Sequence, residues 1–120
     1  MKEVVIAIDV DGTLIRNGAE GYAEGGEPIP NENIRSMLIA LSGFKNTKII
    51  VWSGGGEIYA RMIARRIGLG RYVDEYHGKS LTGKDDKGHP IFDPGFKPDI
   101  AIDDIQSCEL GLLNLIVREK

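Results

Sequence analysis

The stretch VVIAIDVDGTL, residues 4–14, decides how this chain is interpreted, because an apolar run leads directly into two carboxylates. In an extended strand, residues i and i+2 project from the same face, so Asp9 and Asp11 can converge at the carboxyl end of the strand while Val10 points away. Open α/β sheets bind their ligands at that end of the strands. An Asp-Gly pair is also common in turns, and an acid after a strand often caps a helix, so this segment alone leaves turn chemistry and catalysis open.

Length and charge predict a single domain and give no strong signal for a nucleic-acid partner, although they leave a local basic rim open. The chain has 120 residues, enough for one compact core and too few for two, so we expect one domain over residues 1–120. The formal net charge is -3, and acids and bases are spread along the chain without a block of either sign. No broad basic face for nucleic acid is therefore indicated.

Three further features predict a cytoplasmic location. Residues 1–3 lead into a strand-length apolar run rather than a signal peptide, and no stretch approaches the length of a membrane span. The lone Cys108 cannot form an internal disulfide, which fits a reducing compartment. We therefore expect a cytoplasmic protein with no membrane partner.

Amphipathic stretches predict two helices. The first follows a Gly-rich loop over residues 15–27, begins after an Asn31 N-cap and ends near Gly43. Its apolar positions recur at helical spacing: Ile34, Met37, Leu38 and Leu41. The second helix follows the glycine run at residues 54–56 and ends at residues 68–70. Its predicted buried stripe is Tyr59, Met62, Ile63 and Ile67.

Apolar runs outside the helices predict strands. Residues 48–52 are nearly continuous in apolar character, as expected for a strand buried on both faces. Further strands are predicted over residues 72–76, 100–102 and 115–117, with a short helix through Leu110 before the last. This alternation predicts an α/β fold, in which a central parallel five-stranded sheet lies between helices on both faces as a three-layer sandwich.

Residues 80–97 break the alternation. They are rich in Gly, Pro, Asp and Lys and lack a helical stripe, so we expect an irregular excursion with a turn at residues 85–88.

Three predicted strands end in polar side chains that can do chemistry. Asp9 and Asp11 end the first, Ser53 ends the second, and the acidic pair Asp103 and Asp104 ends the strand over residues 100–102. All carboxyl ends of a parallel sheet lie on the same side, so these residues meet if their strands are neighbours.

Three short motifs resemble those of the haloacid dehalogenase (HAD) superfamily, and they come in the correct order. They are DVDGTL at residues 9–14, VWSGG at residues 51–55 and IDD at residues 102–104. The first motif is specific, and the other two gain weight from their order. The resemblance spans nearly the whole chain and implies a Rossmann-like phosphohydrolase that uses magnesium and an aspartyl-phosphate intermediate.

The chemistry of the residues fits this resemblance. Carboxylates about 4 Å apart repel each other by ~4 kcal/mol per pair at an effective dielectric of ~20, so a cluster of them favours a bound cation. An all-oxygen set of ligands suits Mg²⁺, which lets an anionic nucleophile approach an anionic phosphoryl group. We assign Asp9 as the nucleophile and Asp11 as the acid that protonates the leaving oxygen and then the base that activates water.

The resemblance also implies ligands for the metal and the phosphate. The metal is held by the Asp9 side chain, the Asp11 main-chain carbonyl and Asp103, with Asp104 contributing directly or through water. A helix cap is the alternative role for Asp104. The Ser53 hydroxyl and the Gly54 amide, at the predicted start of a helix, are expected to donate to phosphoryl oxygens. The alternative for Ser53 is an ordinary turn residue.

The family's third motif is a lysine, for which the chain offers Lys79, Lys84 and Lys97. Lys97 precedes Asp103 by six residues of ascending strand at about 3.3 Å each, which places it roughly 20 Å from the catalytic edge. Lys79 directly follows the third predicted strand and emerges at that edge. We therefore choose Lys79 over Lys84 and expect Lys97 on the surface.

The chain has no room for a cap domain after the first motif or between the second and third. By resemblance, such an open site goes with large or protruding phosphorylated substrates, or with shielding by another subunit in a homo-oligomer. Residues 80–97 offer a further cover. Three alternative functions stay open: a phosphotransferase of the same superfamily, a binding domain without activity, and a phosphoacceptor module resembling a response-regulator receiver. A receiver differs in carrying its phosphorylated Asp after the third strand, where this chain has Gly78 and Lys79.

Overall fold

The computed structural model describes residues 2–17, 27–84, 86–87, 90–93, 97–104 and 110–117. Along the chain the elements are β1 (Val4–Asp9), α1 (Glu32–Ser42), β2 (Thr47–Ser53), α2 (Glu57–Arg66), β3 (Glu75–Gly78), β4 (Ser80–Lys84), β5 (Pro90–Asp93), β6 (Ile100–Asp103) and β7 (Leu113–Ile116). Five strands form one sheet in the order β3-β2-β1-β6-β7, and every neighbouring pair is parallel. The fold is therefore α/β with a parallel five-stranded sheet flanked by helices, which is compatible with a Rossmann-like fold.

The sheet is buried on both faces at its centre, which explains the continuous apolar character of β1 and β2. One face carries Ile6 and Ile8 of β1 and Ile49 and Val51 of β2, and it packs against Leu38 of α1 and against Ala60, Ile63 and Ala64 of α2. The opposite face carries a second cluster: Ala7, Ile50, Trp52, Ala101 and Leu110. Both described helices thus lie on one face, while residues 105–109, where the sequence predicts a third helix, fall outside the described residues.

The strand order reverses at β1. The chain runs outward from β1 through β2 to β3, and then returns to place β6 on the other side of β1. In open α/β sheets the ligand crevice lies outside the carboxyl ends of the strands at such a switch point. From this topology, we expect a ligand crevice at the carboxyl ends of β1 and β6.

The first helix begins as the sequence predicts. Asn31 is its N-cap, with an extended backbone and a side chain that accepts from the Ile34 N–H at 3.4 Å. The helix ends at Ser42 with Gly43 as C-cap. Most of the predicted Gly-rich loop, residues 18–26, lies outside the described residues, but its base is closed by a bridge between Ile15 and Pro30.

Two predictions about the second half of the chain are wrong in part. The third strand covers Glu75–Gly78 rather than residues 72–76, because Gly70–Tyr72 forms a 3₁₀ turn closed by the Tyr72 N–H on the Leu69 carbonyl at 2.9 Å. Residues 80–97 are not wholly irregular either, since β4 and β5 pair as an antiparallel hairpin. Asp86 and Lys87 lie in a turn between them, within the predicted segment.

β6 extends one residue beyond its predicted end, and β7 covers Leu113–Ile116 rather than the predicted residues 115–117. Neither helix of the described residues combines the length and hydropathy needed to cross a membrane.

Candidate active site

The carboxyl ends of β1 and β6 each contribute a buried acid at the switch point. Asp9 is the last residue of β1 and Asp103 the last of β6, and they are 6% and 3% exposed. The pairing of Ile8 with Ile102 brings the two strand ends side by side. Burying two carboxylates is costly unless a cation or hydrogen bonds compensate, so this arrangement requires a partner.

Lys79 supplies that partner. Its Nζ donates to Asp9 Oδ1 at 2.9 Å and to Asp103 Oδ2 at 2.7 Å, and the side chain is 4% exposed. Lys79 directly follows β3, and its backbone N–H donates to the Ser53 carbonyl at 2.8 Å, which fixes it against the end of β2. The ammonium also lies 5.7 Å from the centroid of the buried Trp52 ring, a distance suited to a cation–π contact.

The other two candidate lysines lie elsewhere. Lys84 is exposed at the end of β4. Lys97 is also exposed and precedes Asp99, whose carboxylate accepts from the Val5 N–H at 2.8 Å near the start of β1. Lys97 therefore lies at the opposite edge of the sheet from Asp9.

Burial and neighbouring charge set the protonation of the buried trio. Burial, with the Asp103 carboxylate as a second cause, raises the pKa of Asp9 to about 7, although the Lys79 ammonium partly offsets both effects. Burial works against the charge of Lys79, but Asp9 and Asp103 outweigh it and raise the pKa of the lysine. The ammonium is therefore the firmly charged member, and Asp9 titrates near neutrality before any cation is added.

Asp104 adds a third carboxylate. Oxygen atoms of Asp9, Asp103 and Asp104 all lie within 4.8 Å of one another, and Asp104 is the exposed member. Burial and a hydrogen bond with Asp103 raise the pKa of Asp104. With all three ionised and Lys79 protonated, three negative charges and one positive leave a net charge of -2. The cluster could therefore hold a metal ion.

Gly12 makes room for this third acid. Its φ of 77° lies in the left-handed region, and a Cβ built on it would lie 2.8 Å from Asp104 Cγ. Only glycine fits both the backbone conformation and the close approach of the carboxylate. The Asp-Gly pair thus serves a turn and the acidic cluster together.

Ser53 ends β2 beside the cluster and is 1% exposed. Its Oγ accepts from the Gly55 N–H at 3.0 Å, and among the residues that the structure describes the hydroxyl hydrogen has no acceptor. The prediction that Gly54 starts a helix is wrong, because residues 54–55 form a turn and α2 begins at Glu57 after the N-cap Gly56. The turn is closed by the Gly56 N–H on the Ser53 carbonyl at 3.0 Å.

Asp11 follows β1 in a wide turn and is partly exposed. Hydrogen bonds from Leu14 N–H to the Asp9 carbonyl at 3.2 Å and from Ile15 N–H to the Val10 carbonyl at 3.1 Å hold this turn. The Asp11 side chain is directed to α2, where its Oδ1 accepts from the Tyr59 hydroxyl at 2.6 Å.

Comparison of the chain with models of protein families, with curated proteins and with solved structures found no match.

Most residues singled out from the sequence lie together. Asp9, Lys79, Asp103 and Asp104 form one cluster, and Ser53 is tied to it through the Lys79 backbone. Sequence reasoning misses two contributors. Buried Thr13 donates to Asp9 Oδ2 at 3.4 Å, and Tyr59, assigned only to an apolar stripe, binds Asp11. Tyr59 lies in the first turn of the helix that follows Ser53, and this position is the one feature of the sequence that could have indicated a role for Tyr59 in the site.

Proposed function

We propose that the protein is a magnesium-dependent phosphohydrolase that cleaves phosphate monoesters through an aspartyl-phosphate on Asp9. The observation that carries the proposal is the buried Lys79 ammonium, bonded to Asp9 and Asp103 at the switch point of the sheet. A site built only for stability gains little from burying two carboxylates and an ammonium, since apolar side chains of similar size often serve as well. A site that receives a phosphoryl group needs both the nucleophile and the cation.

The proposed reaction has two balanced steps. A carboxylate oxygen of Asp9 attacks phosphorus, the bond to the ester oxygen breaks, and Asp11 in its acid form donates a proton to that oxygen, releasing the alcohol. Water then attacks the phosphorus of the acyl phosphate and gives a proton to the Asp11 carboxylate. The bond from phosphorus to Asp9 breaks, which regenerates the Asp9 carboxylate and releases inorganic phosphate.

Ser53 and Lys79 suit the binding of the transferred group. The Lys79 ammonium neutralises negative charge on phosphoryl oxygens, and the Ser53 hydroxyl can donate its hydrogen to one of them. Gly54 lies in the exposed turn after Ser53, where its amide is a further candidate donor. Because hydrogen bonds already fix this turn and the Lys79 backbone, the donors need little rearrangement during the reaction.

The acidic cluster fits a magnesium ion by the chemistry of its donors. The carboxylates of Asp9, Asp103 and Asp104, together with the Asp11 carbonyl suggested by the motif, form an all-oxygen set of the kind Mg²⁺ prefers. When bound there, the ion would neutralise the net charge of the cluster and draw phosphoryl oxygens toward Asp9.

The strand order favours this proposal over a receiver-like module. With the hairpin left out, the sheet has the order 3-2-1-4-5 of the Rossmann type, whereas receivers share the flavodoxin-like order 2-1-3-4-5. The resemblance to the HAD superfamily leads in the same direction, and we assign the chain to its capless members as part of this proposal. Phosphoryl transfer to an acceptor other than water would use the same first step.

We also propose that the substrate is large or protruding. Gly54, Gly55 and Asp104 are exposed, so the site opens at the sheet edge. A groove of about 640 Å³ begins beside it at Glu57 and His77. Its lining carries as many acids as arginines, and one of each forms an ion pair, Arg61 with Glu57 at 3.1 Å. The groove therefore offers a larger substrate polar contacts of both signs beyond the reacting phosphate.

The proposal is tested by phosphate release from 4-nitrophenyl phosphate. We expect release with Mg²⁺, loss of release when a chelator is added, and recovery when excess Mg²⁺ is restored. Release that persists in chelator after exhaustive dialysis would contradict the metal requirement. If the native chain releases no phosphate from this ester or from a panel of phosphorylated metabolites, peptides and nucleotides, the hydrolase proposal fails.

A further inference from the structure

We infer that Tyr59 is a positioning residue, which holds the Asp11 carboxyl in place for proton transfer to the leaving group. The inference rests on the proposed function, in which Asp11 serves as acid and then base. It starts from the hydrogen bond that the Tyr59 hydroxyl donates to Asp11 Oδ1 at 2.6 Å, between residues 48 positions apart. Such a short distance is typical of a strong hydrogen bond from a hydroxyl to an oxygen acceptor.

Tyr59 is itself held firmly. It is the third residue of α2, a helix anchored on the sheet by the fully buried Ala60, Ile63 and Ala64. Its ring lies against the backbone of Gly55, where a built Cβ would fall 2.9 Å from Tyr59 Cδ2. The ring therefore contacts the turn that follows Ser53, and the Tyr59 hydroxyl lies beside the segment that follows β1.

Asp11 is less constrained without this contact. It is partly exposed, and it lies beyond the end of β1, where its backbone forms an isolated bridge with Ile15. A free aspartate there samples several side-chain rotamers, and only a fraction of them aim a carboxyl oxygen at the leaving group. Fixing Oδ1 on Tyr59 restricts the side chain and leaves Oδ2 to carry the transferred proton.

The test compares two substitutions that each remove one phenolic hydroxyl. Tyr59→Phe keeps the ring against Gly55 and deletes the bond to Asp11. Tyr76→Phe is the matched control, because the Tyr76 hydroxyl is buried and has no hydrogen-bond partner among the residues that the structure describes. Both variants are assayed with Mg²⁺ on an alkyl phosphate, whose leaving oxygen needs a proton, and on 4-nitrophenyl phosphate, whose leaving oxygen needs little assistance.

We expect Tyr59→Phe to lower kcat/KM for the alkyl phosphate by roughly 10- to 100-fold. For 4-nitrophenyl phosphate we expect less than roughly a threefold loss, because a good leaving group departs without general-acid help. Both expected losses refer to kcat/KM, because kcat/KM reports the first irreversible step of the reaction. We expect Tyr76→Phe to change neither value.

If Tyr59→Phe lowers kcat/KM equally on both esters, Tyr59 has a merely structural role. If it lowers kcat/KM on neither ester, Tyr59 has no role in the site. Either outcome overturns the inference. A separate measurement keeps the inference distinct from the proposed function. In metal-free protein the ¹³C resonance of the Asp11 carboxyl carbon should shift in Tyr59→Phe and not in Tyr76→Phe. If the native chain has no activity but this shift occurs, the proposed phosphohydrolase function fails and the hydrogen bond between Tyr59 and Asp11 is supported. If the resonance does not shift, that hydrogen bond is contradicted.

Discussion

Asp9→Asn is expected to eliminate phosphate release, with a fall in kcat of roughly 10,000-fold or more. Asparagine keeps the shape of the side chain but cannot form the acyl phosphate, and the neighbouring Asp11 is directed to Tyr59 instead. The measurement is release from 4-nitrophenyl phosphate with Mg²⁺. Asp86→Asn is the control, because Asp86 is an exposed acid in the turn between β4 and β5. Activity that survives Asp9→Asn contradicts the assigned nucleophile.

The same substitution has a second, pH-dependent effect on the metal-free protein. The pKa of Asp9 is raised to about 7, so between about pH 4 and pH 7 the folded state binds a proton that the unfolded state has lost. The contribution of Asp9 to the free energy of unfolding therefore falls as the pH rises through this window, by about 1.4 kcal/mol for each pH unit. Asparagine does not ionise and avoids this loss.

In chelator, we therefore expect the free energy of unfolding of Asp9→Asn, taken relative to that of the native chain, to be higher at about pH 8 than at about pH 5. Chemical denaturation at the two pH values measures the difference. Excess Mg²⁺ should reduce the gap at about pH 8, because the ion binds the ionised cluster only in the folded state. If the difference in free energy of unfolding between Asp9→Asn and the native chain is equal at both pH values, Asp9 is not buried against its neighbours as described.

Lys79→Ala is expected to have the second largest effect. The substitution removes the cation bonded to both Asp9 and Asp103, which leaves two buried carboxylates uncompensated at a cost of about 3–5 kcal/mol. We also expect phosphate release to fall roughly 100- to 1,000-fold, because the charge on the phosphoryl oxygens loses a fixed partner. Thermal unfolding and phosphate release measure the two effects.

Lys84→Ala and Lys97→Ala are the matched controls for this prediction, since both lysines are exposed and Lys97 precedes the opposite sheet edge. Both should retain the stability and activity of the native chain. Lys79→Met is a second variant, in which an apolar stem remains next to Trp52 while the charge is lost. Normal turnover in Lys79→Ala and Lys79→Met would contradict the assignment of Lys79 to the proposed active site.

The site is largely predictable because its residues terminate buried strands. The apolar runs before Asp9, Ser53 and Asp103 are long enough to identify strands, and a parallel sheet brings their carboxyl ends to one edge. The resemblance calls for a lysine, and strand geometry favours Lys79, since Lys97 precedes β6 at the far edge of the sheet. Periodicity and chain direction therefore carry most of the information about this cluster.

The errors arise where local signals are weak or three-dimensional. The sequence pattern places the third strand too early because Tyr72 and Val73 favour strands, whereas Gly70–Tyr72 closes a 3₁₀ turn and pairing with β2 begins only at Glu75. The β4–β5 hairpin escapes prediction because its strands are four to five residues long and rich in turn formers. The contact between Tyr59 and Asp11 joins residues 48 positions apart, and helical spacing reports only which face of α2 a residue occupies.

The most direct test of the account is to trap the phosphorylated residue. Asp11→Asn lacks the base for hydrolysis but should still react with 4-nitrophenyl phosphate, so the acyl phosphate should accumulate. The reaction is quenched in acid and digested, and the peptide over residues 3–16 is sequenced by mass spectrometry with and without hydroxylamine. We predict one phosphoryl group on Asp9 that hydroxylamine removes. Turnover of the native chain together with an unmodified Asp9, or with phosphate on a different residue, would contradict the account.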